Sequence, residues 1–182
     1  LLAALAAASP GDVIGISGTI AGTSGGVVAS SVTLTCATPG AGLAVDTSAV
    51  VGTLLTATAP LVTIDRLVLN GTGAGNPFLA ETFAANTHFT NNDVTCGTAT
   101  CAFFTGAPGS LIADNRFTSS GSLTGVHIQP VGAINPDSTR VERNLIVATA
   151  PSLNPNFGGI RVVGGRNVVI ANNTVLGPWR NS

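Results

Sequence analysis

Five segments of the chain repeat one short alternation of apolar and polar positions. They are Val62-Thr63-Ile64-Asp65-Arg66-Leu67-Val68-Leu69, Thr87-His88-Phe89-Thr90-Asn91-Asn92-Asp93-Val94, Ser110-Leu111-Ile112-Ala113-Asp114-Asn115-Arg116-Phe117, Thr139-Arg140-Val141-Glu142-Arg143-Asn144-Leu145-Ile146 and Val168-Val169-Ile170-Ala171-Asn172-Asn173-Thr174-Val175. The shared order is apolar, two polar, Asn, any residue, apolar. Its Asn residues are Asn92, Asn115, Asn144 and Asn173, at intervals of 23 and 29 residues, and Leu67 takes the Asn place in the first segment. Alternation with period two predicts strands, and the Asn falls at a bend between two of them.

A second element precedes the later segments. Gly159-Ile160-Arg161-Val162 and Gly125-Val126-His127-Ile128 are its clear copies; Cys101-Ala102-Phe103-Phe104 and Asn76-Pro77-Phe78-Leu79-Ala80 are weaker ones. Each repeat therefore holds at least two short strands separated by turn residues. Strands of three to five residues cannot bury their own apolar face. Stacking the next repeat about 4.8 Å above pairs every strand in parallel with its neighbour. Inward residues then form columns, Ile64, Phe89, Ile112, Val141 and Ile170 in one and Leu69, Val94, Phe117, Ile146 and Val175 in another. Stacked Asn amides donate and accept along a column and so satisfy a buried turn.

The pattern predicts an all-β chain, a right-handed parallel β-helix of about six coils, in a single domain spanning residues 1–182. An antiparallel sandwich is the rival, but it calls for two-residue hairpin turns, and Asn70-Gly71 is the sole such dipeptide. Residues 1–9 open on Leu1-Leu2-Ala3-Ala4-Leu5-Ala6-Ala7-Ala8. This reads as a short capping helix with Leu1, Leu2 and Leu5 on the face toward the first coil. The tail of a secretory signal is the alternative, but a signal needs a charged leading region and a longer apolar stretch.

Pro10-Gly11-Asp12-Val13-Ile14 after the Ala-rich start, Val32-Thr33-Leu34 and the Asn-bearing coils resemble the right-handed parallel β-helix proteins of the pectate-lyase-like superfamily. That resemblance spans almost the whole chain. It implies secretion or surface display, and often polysaccharide cleavage, in a group that also holds non-catalytic surface, phage-tail and adhesin-like members.

Composition narrows the function classes. Of 182 residues, 45% are hydrophobic and 8% charged, and the net charge is −1. All basic residues are Arg. Nucleic acid is excluded as a partner, since phosphate backbones demand a basic face. No run approaches the ~20 apolar residues of a membrane-spanning helix. Cys96 and Cys101 flank a short Gly-containing loop that allows a disulfide, with buried free thiols as the alternative. Cys36, in the apolar stretch after Leu34, reads as core filling.

Alternation points Phe103, His127 and Arg161 outward, one above another, as a candidate outer-face binding column for a sugar ring or an acidic saccharide. Hydrolysis of a glycosidic bond needs two carboxylates, and acidic residues are sparse. Asp93 and Asp114 lie near the Asn bend of consecutive coils and are the candidates for a calcium ion; Asp and Asn are also favoured at bends for local backbone bonding. No other cofactor is indicated, and the catalytic residues are unknown.

Two readings of function remain. The first is a secreted or cell-surface non-catalytic β-helix, structural or adhesive, that associates with itself end to end. It is motivated by the low charge, the missing acidic clusters and a closing segment, Gly177-Pro178-Trp179-Arg180-Asn181-Ser182, without helix pattern, which leaves a sheet edge bare; such an end either continues in a longer chain or pairs with another subunit. The second is a carbohydrate-active enzyme (polysaccharide lyase or glycoside hydrolase), a fragment of one, or a sugar-binding module acting on extracellular polysaccharide. The discriminating feature is convergence of carboxylates on the Phe103, His127 and Arg161 face.

Overall fold

The computed structural model describes residues 1–22, 26–45, 53–71, 78–97, 100–120, 124–151 and 158–178. Asn76, Pro77 and 179–182 from the segments above lie outside these. The described chain is a parallel β-solenoid with one short helix, α1 (Leu2–Ala7). Sheet A stacks β1 (Val13–Ile16), β4 (Thr33–Cys36), β7 (Thr63–Asp65), β10 (His88–Thr90), β13 (Leu111–Ala113), β16 (Arg140–Glu142) and β19 (Val169–Ala171). Sheet B stacks β2 (Thr19–Gly22), β5 (Gly42–Val45), β8 (Val68–Asn70), β11 (Asp93–Thr95), β14 (Arg116–Ser119), β17 (Leu145–Ala148) and β20 (Thr174–Leu176). Sheet C stacks β3 (Gly26–Val28), β6 (Leu55–Ala57), β9 (Phe78–Thr82), β12 (Thr100–Thr105), β15 (Val126–Gln129) and β18 (Ile160–Val162). A coil thus holds three strands, in keeping with the expected minimum of two. Among the described residues the sheets have seven, seven and six strands, so the coil count differs slightly from the six expected.

The predicted columns are the register of the sheets. In sheet A, Ile64 pairs with Phe89, Phe89 with Ile112, Ile112 with Val141 and Val141 with Ile170. In sheet B, Leu69 pairs with Val94, Val94 with Phe117, Phe117 with Ile146 and Ile146 with Val175. Both columns are buried until their last members. Phe89 of sheet A stacks on Phe117 of sheet B at 6.1 Å and meets Phe104 of sheet C edge-on at 6.4 Å. One aromatic cluster therefore ties the three sheets together in the middle of the core.

The Asn column is a continuous hydrogen-bonded ladder. The Asn92 backbone N–H and Nδ2 both donate to Asn115 Oδ1, at 2.9 and 3.0 Å. Asn115 donates in the same way to Asn144, and Asn144 to Asn173. Each Nδ2 also donates to a sheet A carbonyl one coil back, as Asn115 does to Phe89 at 2.8 Å. At the foot of the ladder Asn92 Oδ1 takes the Leu67 N–H at 3.0 Å. Leu67 needs no amide because the corresponding N–H one coil below, that of Ala41, donates locally to Thr38 O at 3.0 Å.

The residue before each rung bends left-handed: Arg66, Asn91, Asp114, Arg143 and Asn172 have φ of 57, 55, 59, 55 and 56°. Sheets A and B meet there at a two-residue corner, left-handed residue then rung, and the left-handed residue turns the chain. A second left-handed column, Gly11, Leu61, Asn86, Gly109, Ser138 and Asn167, leads into sheet A. Asn, Asp and Gly take this conformation at little cost, whereas other residues lose about 1–2 kcal/mol. The repeat survives Arg66, Arg143 and Leu61 because the corner is over-determined by its neighbours above and below.

At the start of the chain α1 packs on β3. A Cβ placed on Gly26 would lie 3.1 Å from Leu5 Cδ1 and 3.3 Å from Leu1 Cδ2. Leu1 and Leu5 form the capping face, as expected, but Leu2 does not join them and is 56% exposed. On a helix, neighbours i and i+1 diverge by about 100°, so Leu1 and Leu2 cannot share a narrow face.

Candidate functional site

The outer face of sheet C carries the predicted column. Val126 and Ile128 fill the core, so alternation turns His127 out. Register places Phe103 beside His127 and His127 beside Arg161. It also adds a residue that the sequence reading missed: Glu81 pairs with Phe103 one coil earlier. Aligning Ala80 with Ala102 in the two weaker copies of the second element would have revealed it.

The column is not an open binding face. Phe103 and His127 are each 5% exposed, which corrects the expectation of an exposed platform. The His127 ring meets Phe103 edge-on with centroids 4.9 Å apart, and Arg161 Nη1 lies 3.2 Å from His127 Nε2 on the other side. A guanidinium only donates, so Nε2 accepts and the imidazole proton sits on Nδ1. Burial, then the Arg161 charge, lowers the His127 pKa to about 4. His127 is a neutral acceptor that holds Arg161, rather than a cation offered to a ligand.

Glu81 accepts a hydrogen bond from Thr53 Oγ1 at 3.4 Å, and burial pushes its carboxyl above the usual range. Two strand spacings, about 10 Å, separate it from the His127 rank. Described register brings no second carboxylate to this column, so the paired acids of glycoside hydrolysis do not converge on it. The core pocket beside it, lined by Ile64, Glu81, Thr82, Thr87, Phe89 and Phe104, has a volume of about 10 Å³. That is the space of one water molecule.

Asp93 and Asp114 have separate surroundings. Asp93 lies in sheet B between Val68 and Arg116. Asp114 sits at the left-handed corner, where Arg143 donates to both its oxygens at 2.8 Å and holds its carboxyl below the usual range. Arg143 also donates to Glu142 at 2.9 Å, and Arg140 donates to Glu142 at 2.7 Å. Asp114 thus neutralises an arginine of the next coil, and Glu142 pairs with two arginines of its own. Among the described residues no three His, Cys, Asp or Glu side chains gather in a group able to hold a metal ion.

No family model, curated protein or solved structure matches this chain. Whatever it does rests on its own side chains and edges.

The least satisfied region is the far end of the stack. Ile170 is 52% and Val175 43% exposed, although every earlier member of their two columns from Ile64 and Leu69 onward is buried. Val169, Leu176 and Val163 are exposed around them. Thr139 O takes the Val169 N–H and Asn144 O takes the Thr174 N–H. Alternate residues of a parallel strand bond to opposite neighbours, so Ile170 and Val175 turn their N–H and C=O groups away from the stack. The described Asn ladder ends in the same plane, at Asn173. Elsewhere, Cys96 and Cys101 form a disulfide with Cα atoms 5.1 Å apart. Cys36 is free and packs against the core.

Proposed function

We propose that this chain is a non-catalytic structural β-solenoid, placed outside the cell or on its surface, that associates with its own kind through the ends of the stack. The observation that carries the proposal is the exposure of Ile170 and Val175, at 52 and 43%, in columns that are otherwise buried. An apolar layer rimmed by backbone groups that no described residue pairs is an adhesive strand edge. The Cys96–Cys101 disulfide supports an oxidising compartment. The burial of Phe103 and His127 weighs against polysaccharide as the partner. Kinship with the pectate-lyase-like superfamily is part of the same proposal, supported by the three parallel sheets and the Asn ladder.

The test is mass by light scattering across a concentration series, for the wild-type chain and for Ile170→Glu. Ile170 is exposed in the isolated chain, so the substitution leaves its fold intact but buries a charge in any end contact. Wild-type mass should rise with concentration and that of the variant should stay monomeric. Equal masses for both at every concentration would rule the proposal out.

A further inference from the structure

Independently of the end-to-end association, we propose that the edge where sheet C turns into sheet A lies against a lipid bilayer, with Leu61, Phe83, Val131 and Ile134 entering its interfacial layer. Described coils lie above and below each of these residues, so their exposure belongs to the middle of the stack.

The first observation is where the apolar surface lies. Among the described residues between β6 and β19, the exposed large hydrophobics are Leu61, Val68, Phe83, Val131, Ile134 and Val163. All but Val68 sit in turns that lead from sheet C to sheet A. Leu61 also stands at φ 59°, in a left-handed column otherwise made of Gly, Asn and Ser. A large apolar side chain held there carries strain and exposure together, which points to a function.

The second is charge. The turns between β6 and β7, β9 and β10, β12 and β13, and β15 and β16 hold one charged residue, Asp137, whose Oδ1 takes the Arg166 N–H at 2.7 Å. Asp65, Arg66, Asp114, Arg140, Glu142 and Arg143 instead crowd the corner between sheets A and B. The solenoid is therefore amphipathic across its section, as an element at a membrane interface is.

The third is shape. The β15–β16 turn has ten residues where the three turns before it have five each. Its extra length forms a small hairpin, in which the Val131 N–H donates to Ile134 O at 3.0 Å and the Ile134 N–H to Val131 O at 2.9 Å. The hairpin lies down on the turn one coil back: a Cβ on Gly106 would collide with Val131 and stand 3.3 Å from Ile134 Cβ. From Leu61 to Ile134 this makes a ridge about three strand spacings long, ~14 Å. A fluid apolar layer takes such a ridge without a matching groove, whereas a protein partner would need polar groups to fix it. Backbone groups paired within the hairpin enter that layer at little cost. With no basic residue in these turns, apolar area drives the contact, rather than attraction to anionic headgroups.

The test is co-sedimentation with phosphatidylcholine vesicles of wild type, Ile134→Glu, Phe83→Glu, Val68→Glu and Ile170→Glu. Circular dichroism reports the fold, and light scattering the mass without lipid. Wild type should bind reversibly, with a partition constant on the order of 10⁴ M⁻¹ that added salt leaves unchanged. Ile134→Glu and Phe83→Glu should each lower it at least about fivefold; Val68→Glu on sheet B and Ile170→Glu at the stack end should leave it within about twofold. Phe83→Glu keeps the test decisive where Ile134→Glu unsettles the hairpin. A folded wild type that never sediments with vesicles would overturn the lipid contact and leave end-to-end association standing. So would binding lost through Ile170→Glu alone, or a mass that doubles without lipid and depends on Ile134, since a second copy would then cover the ridge.

Discussion

Asn115 and Asn144 are joined twice: the Asn115 backbone N–H and its Nδ2 both donate to Asn144 Oδ1, at 3.0 and 2.9 Å. Asn144 Nδ2 in turn donates to Ile112 O and to Asn173 Oδ1, each at 2.9 Å. Removing this one amide strands a buried N–H, a buried amide hydrogen and a buried carbonyl. At roughly 1–3 kcal/mol for each group left unsatisfied, Asn144→Ala should cost about 3–5 kcal/mol, measured by urea unfolding. A loss under about 1 kcal/mol would mean that the ladder is decorative.

That ladder was legible in the sequence because one residue type recurs at one place in a repeated pattern. The two inward columns of sheets A and B were legible for the same reason. Sheet C was read only in part, since β9 and β12 share little beyond an Ala and adjacent aromatics. The first two coils were less legible still: between Val13 and Cys36 the strands are short, rich in Gly and Thr, and lack the Asn. The left-handed corners were missed altogether. Asn91, Asp114 and Asn172 carry the usual left-handed signal, but Arg66 and Arg143 break it, so no one residue type marks the position. At the candidate site, alternation placed Phe103, His127 and Arg161 in one column correctly, but it carries no information about how far a column's members are buried.

Leu61 stands left-handed at φ 59° with its side chain 64% exposed. It has strain without burial to offset it. Leu61→Asn should stabilise the chain by about 1 kcal/mol, seen as a rise in Tm; a fall in Tm would show that the Leu61 side chain contributes packing.

The disulfide joins residues separated by 5 in sequence. Loop closure that short limits its contribution to about 2 kcal/mol. Replacing Cys96 and Cys101 together by Ala should lower stability by about that amount without loss of the fold. Unfolding of the double variant at 25 °C would assign the bridge a larger role.

His127 has a pKa of about 4 in the fold against 6.5 in the unfolded chain. Between those values the unfolded chain binds a proton and the folded chain does not, so stability falls as pH drops from 6.5 to about 4. His127→Gln keeps an acceptor for Arg161 and removes the titration. Its unfolding free energy should be flatter than wild type across that window; identical slopes would contradict the buried neutral imidazole.

Self-association requires that the Ile170 and Val175 end be an interface. The direct measurement is electron microscopy of the purified chain at rising concentration. Filaments with an axial repeat near seven strand spacings, about 34 Å at ~4.8 Å each, are the predicted result. Dispersed single particles at every concentration would contradict it.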